Sequence, residues 1–118
     1  MQQRTIIVSL LAVALVVGFG TASAAGNAAA GKKKAAACEA CHGADGNGIA
    51  PNYPALAGQY QDYLEQALHG YQDGKRTNAI MNGMAAPLSN QDIEDLAAYF
   101  SSLPSKLSDL HGKIQGGN

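Results

Sequence analysis

Tryptophan is absent, cysteine occurs only twice, proline four times, and charged side chains make up 14% of 118 residues. No stretch after residue 24 reads as a convincing strand, which argues against the strand-helix-strand setting of a thioredoxin-like dithiol. Two cysteines are too few for a four-thiol zinc site. The mixed alternative suffers from the awkward adjacency of Cys41 and His42, and from His69 and His111 showing no ligand spacing. There is no phosphate-binding loop and no internal repeat. Basic residues are scarce too: beyond residue 24, seven Lys and Arg face nine Asp and Glu, whereas a general nucleic-acid binder is basic. Lys32-Lys33-Lys34 is the local exception, read as a solvated helix face, with docking of an acidic partner as the alternative.

What is present is concentrated in five residues, Cys38-Glu39-Ala40-Cys41-His42. They read C-x-x-C-H, the attachment pattern for a c-type haem. Two thiols at this spacing can add to the vinyl groups on one porphyrin edge, and the histidine that follows is then held beneath the iron as proximal ligand. Both cysteines of the chain fall in this one motif, so the expected cofactor is one haem c.

The N-terminal segment fits that chemistry. Arg4 precedes a mostly apolar run from Ile6 to Phe19, and Ala22-Ser23-Ala24 supplies small residues for cleavage. Residues 1–24 therefore read as a secretory signal cut after about Ala24. The run is shorter than the roughly 20 residues that cross a bilayer, so no permanent membrane anchor is expected. The remaining 94 residues make one small domain with limited capacity to bury a core. Covering about 400 Å² of porphyrin at about 25 cal/mol/Å² would add on the order of 10 kcal/mol, so the apoprotein should be poorly folded.

Along the chain, Ala28 to Cys41 is rich in helix formers, with Asn27 as N-cap and Gly31 placed to let another helix approach. Residues 43–48 hold three glycines and must be a loop. Pro51 and Pro54 keep the next strip extended, and a carbonyl from it can accept the Nδ1 proton of His42. Gln59 to Tyr71 carries Tyr60, Tyr63, Leu64, Ala67, Leu68 and Tyr71 at helical spacing. His69, near its polar edge, reads as an ordinary surface histidine. Met81 and Met84 are both candidate thioether ligands for the distal side of the iron. Ser89 with Asp92 marks the start of a last helix running to about Leu103, its face made by Ile93, Leu96, Ala97, Phe100 and Leu103, with Pro104 just beyond. Tyr99 and Phe100 are expected to sit against Gly31. Residues 105–118 show no strong period and read as a loosely packed extension.

The matches C-E-A-C-H-G at 38–43, A-P-N-Y-P-A-L-A-G-Q at 50–59, G-K-R-T-N at 74–78 and M-N-G-M-A-A-P-L-S-N-Q-D-I-E-D-L-A-A-Y-F at 81–100 lie in order along the chain. Together they resemble the class I c-type cytochromes, in particular the small bacterial cytochrome c-553 proteins and single halves of the diheme cytochrome c4 type. The resemblance implies an all-α fold of about four helices wrapped around one covalently attached haem, spanning residues 25–104. It implies Cys38 and Cys41 as thioether residues, His42 as proximal ligand, Pro51 as the proline whose carbonyl orients His42, Met81 over Met84 as distal ligand, and Arg76 near the propionates. A second C-x-x-C-H is absent from this chain, so transfer between two haems of its own is not expected.

The implied function is a periplasmic one-electron carrier, a monomer or weak dimer that shuttles electrons between redox proteins without a substrate site. A dedicated cytochrome subunit of a periplasmic dehydrogenase is the first alternative, and a haem peroxidase or gas sensor the second.

Overall fold

The computed structural model describes residues 25–106, and the expected signal segment and most of the expected C-terminal extension lie outside them. Five helical segments follow one another: α1 (Ala28–Lys34), α2 (Ala36–His42), α3 (Gln61–Gln72), α4 (Ala79–Ala85) and α5 (Asn90–Ser102). The expected all-α class holds throughout the described residues.

The architecture rests on α5, against which both α1 and α3 pack, while α4 packs on α3. Ser89 starts α5 with a full capping box: its hydroxyl accepts from Asp92 N–H, and Asp92 reaches back to the Ser89 N–H. Ile93, Leu96, Ala97 and Phe100 are buried along the expected face, joined by Asp95, Ala98 and Tyr99, while Leu103 is only half-buried. Asn27 caps α1 by accepting from Ala30 N–H. Gly31 is the crossing point of α1 and α5, because a Cβ there would overlap the Asp95 carbonyl oxygen and the Tyr99 Cβ. The expected contact with Tyr99 is therefore present.

Two local expectations need correction. The single helix from Ala28 to Cys41 is divided at Ala35, where Ala35 N–H turns to the Lys32 carbonyl and Cys38 N–H to that of Ala35, the tighter i→i−3 pattern. No Pro or Gly forces this, but Ala35 is fully buried against Leu64, Leu96 and Phe100 in the core cluster, so packing decides it. The tyrosine stripe of α3 is not uniformly inward: Leu64 is buried, whereas Tyr63 is exposed and Tyr60 is 79% exposed. The methionine segment, to which no element was assigned from the sequence, is a short helix. Asn78 caps α4 by accepting from Ile80 and Met81 N–H, and Asn82 ties it back by donating to the Tyr71 and Arg76 carbonyls.

Candidate haem site

Residues Cys38, Cys41 and His42 stand on α2, so one helical turn presents both thiols and the imidazole together. Gly43 ends that helix with φ 85°, a conformation that a Cβ would strain. The chain then folds back on its own helix end: Gly48 N–H donates to the His42 carbonyl at 2.7 Å and Ile49 N–H to that of Cys41 at 3.3 Å. The loop that follows thus satisfies the last two carbonyls of α2.

His42 is buried, and its Nδ1 lies 2.8 Å from the Pro54 carbonyl oxygen. A carbonyl can only accept, so Nδ1 carries the proton and Nε2 is the nitrogen with a lone pair for a metal. The expected strip therefore supplies the orienting carbonyl, but from Pro54 and not from Pro51. Pro51 is exposed and occupies the second position of a turn closed by Tyr53 N–H on the Ala50 carbonyl at 3.0 Å, where proline's fixed φ is favoured. The A-P-N-Y sequence already carried that turn signature, with Pro and Asn at the two central positions.

The donor set fits a covalently held haem. Both thiols are free and half-buried, and burial, followed by the neighbouring Glu39 carboxylate, pushes the Cys38 thiol up. A redox dithiol needs the opposite shift. The core of the described residues is also thin, since five of the ten buried hydrophobic residues among them are alanine. Larger apolar groups stay outside it, with Ile49 and Ile80 each 62% exposed. A macrocycle is the kind of body that would cover such groups.

Of the other expected residues, Met81 and Met84 both stand on α4 three positions apart; Met81 is half-buried and Met84 is 36% exposed. Arg76 is exposed, its guanidinium carbon 5.8 Å from the Tyr63 ring centroid and 5.1 Å from that of Tyr71, with Nη1 donating to the Tyr63 hydroxyl at 3.4 Å. His69 is exposed with Nδ1 3.2 Å from Gln72 Oε1, as a surface histidine should be. His111 lies outside the described residues. Two site roles were not assigned from the sequence: Pro54 as the residue whose carbonyl meets His42, and Tyr99, whose hydroxyl donates to Glu39 Oε1 at 2.8 Å.

An all-helical domain with two thiols and a proton-oriented histidine on one helical turn defines a c-type haem protein. The cytochrome c family model matches residues 28–104, and the chain belongs to that family and carries a single haem c. Cytochrome c4 of Pseudomonas aeruginosa is 56% identical over 94 residues, covering 79% of this chain and 47% of that protein. Cytochrome c-554(548) of Halomonas halodenitrificans is 53% identical over 81 residues, covering 66% of this chain and 98% of that protein. The crystal structure of reduced recombinant cytochrome c4 from Pseudomonas stutzeri superposes with a TM-score of 0.66 at 48% identity, covering 70% of this chain and 48% of that one. The chain thus spans about half the length of its cytochrome c4 relatives.

Proposed function

We propose that the chain is a periplasmic one-electron carrier whose haem iron is held between His42 and Met81. The observation that carries this reading is the buried His42 with its Nδ1 proton committed to Pro54, directly after the two attachment thiols. Bound haem supplies an Fe(III)/Fe(II) couple. Cys38 and Cys41 would hold it through thioether bonds, and the Pro54 carbonyl keeps the imidazole in a single tautomer and orientation. Met81 suits the opposite side as a soft, neutral donor that favours the reduced state relative to a second histidine. Its half-buried position on α4 supports it over the more exposed Met84. Arg76 is exposed and lies against the Tyr63 and Tyr71 rings, and the N–H groups it does not use there support a role in binding a propionate.

If His42 and Met81 both hold the iron, no position on it would be left for a substrate, which supports electron transfer over catalysis. Its partners are redox proteins of the same compartment, met through small transient contacts. A second reading, a dedicated electron-accepting subunit, is favoured by one relative, the thiosulfate dehydrogenase electron acceptor of Thiomonas intermedia, 47% identical over 95 residues. Among the described residues no helix is long and apolar enough to cross a membrane.

The test is a visible spectrum and redox titration of protein purified from the periplasm, together with gel filtration. The carrier reading expects a reversible one-electron couple, a thioether-to-iron absorption band and no carbon monoxide binding at neutral pH. Rapid carbon monoxide binding by the reduced protein would overturn it in favour of a gas-binding or peroxidase site. Persistent co-purification with one dehydrogenase would replace the free carrier by the subunit.

A further inference from the structure

Glu39 stands between the two attachment cysteines, and the far end of the domain reaches in to hold it. Tyr99 Oη donates to Glu39 Oε1 across 2.8 Å, joining α5 to the attachment turn over a separation of 60 residues. The tyrosine cannot easily swing away. It is buried, its ring is tilted against Phe100 with centroids 5.0 Å apart, and its Cβ packs at the Gly31 crossing. Glu39 is itself half-buried. Both neighbours register the carboxylate: its hydrogen bond raises the Tyr99 hydroxyl's pKa, and its charge adds to burial in raising that of Cys38.

We propose that Tyr99 and Glu39 are a positioning pair that fixes one negative charge beside the haem attached at Cys38 and Cys41, and that this charge lowers the reduction potential below what the axial ligands alone would set. The inference rests on the one-electron reading above. Reduction adds one negative charge to the iron, so a carboxylate held nearby opposes it. A carboxylate moving freely in water would be largely screened. Holding it with a buried phenol keeps it close, and this is the part that Tyr99 plays. A purely structural bond between α5 and α2 would alter the melting temperature and leave the potential alone.

The experiment compares the wild type with Glu39→Gln, Tyr99→Phe and the double variant, each purified as holoprotein with one covalent haem confirmed by mass. Each is titrated spectroelectrochemically at low and high salt. Glu39→Gln keeps the shape and a hydrogen-bond acceptor while removing the charge. It should move the reduced-to-oxidised ratio at fixed applied potential about three- to tenfold toward Fe(II), the range of one partly screened unit charge; tenfold corresponds to about 59 mV for one electron. Tyr99→Phe keeps the ring and should shift the ratio in the same direction by less, with a stronger salt dependence. The double variant should go no further than Glu39→Gln alone. Glu39→Gln disturbs no buried ring, so it decides the matter even if Tyr99→Phe fails to accumulate. A reversible wild-type couple with an unshifted Glu39→Gln potential would remove the charge-positioning idea and leave the carrier intact, and a drop in melting temperature alone would do the same. Absence of any reversible couple in the wild type would remove both.

Discussion

Lys34 Nζ lies 2.7 Å from Asp95 Oδ2, joining α1 to α5 at a carboxylate side chain only 5% exposed. The same carboxylate accepts from the Asn27 N–H at 2.8 Å and from Gln91 Nε2 at 3.0 Å, while Lys34 also reaches Asp92 at 2.7 Å. The Lys34 hydrogen bond, followed by those from Asn27 and Gln91, lowers the Asp95 pKa to about 2. A depressed folded-state pKa stabilises above the unfolded value near 3.9, and that contribution is lost as pH falls through about 2. The holoprotein's melting temperature should therefore fall between about pH 4 and about pH 2. Asp95→Asn should melt roughly 5–10 °C lower at neutral pH and show a flatter dependence across that window. Equal slopes for variant and wild type would assign the acid sensitivity to other carboxylates, of which Asp92 is the nearest candidate.

The methionine assignment separates two variants. Met81→Ala should lose the thioether-to-iron band, bind carbon monoxide and show a lowered potential, because an axial thioether raises it. Met84→Ala should keep the band and the potential, with a small loss of stability from its partly exposed side chain. The reverse pattern in the two visible spectra would move the ligand to Met84.

Gly31→Ala tests the helix crossing. On an exposed helix the change would gain about 1 kcal/mol from propensity. Here the added methyl meets the Asp95 carbonyl and the Tyr99 Cβ, and forcing α1 away from α5 should give a net loss of about 1–3 kcal/mol in urea unfolding. A stabilised variant would mean that the two helices are less closely apposed.

Asn47 fastens the loop after the haem motif to the end of the domain. Its amide donates to the Asp45 and Pro104 carbonyls at 3.0 and 3.3 Å, and its Oδ1 accepts the Lys106 N–H at 2.9 Å. Asn47→Ala should lower stability by about 1 kcal/mol and speed hydrogen exchange at the Lys106 amide. Unchanged exchange there would show that the ion pair of Lys106 with Asp45, 2.8 Å long, suffices alone.

Removing both thiols tests the thin core. The Cys38→Ala/Cys41→Ala double variant should lose covalent haem, and its near-ultraviolet dichroism should collapse with a partial loss of helix signal. A cooperative, wild-type-like unfolding transition without haem would show that the alanine-rich core stands unaided.

Much of this was readable residue by residue. The haem motif, the Asn27 cap, the Ser89–Asp92 box and the glycine loop are each contained within a few positions, where covalent geometry and single-turn hydrogen bonds settle the outcome. Gly31 was legible as a close approach because a mid-helix glycine has few other reasons to be there. α4 was not, since Gly83 inside it, Gly74 before it and Pro87 after it hid a helix that depends on Asn82 and Gln72 reaching across to neighbouring segments. Ala35 was not either, because nothing in its own sequence interrupts α1 and α2.

The chain's own order of residues determined which cofactor it takes, since thioether attachment asks only for two thiols at fixed spacing with an imidazole next to them. Which carbonyl turns that imidazole, and which charges stand around the attachment turn, were decided by the tertiary structure. Pro54 meets His42 only after a turn has consumed Pro51, and Tyr99 meets Glu39 only once α5 has packed. Contacts between residues 12 and 60 positions apart depend on how whole segments pack, and no local pattern encodes that.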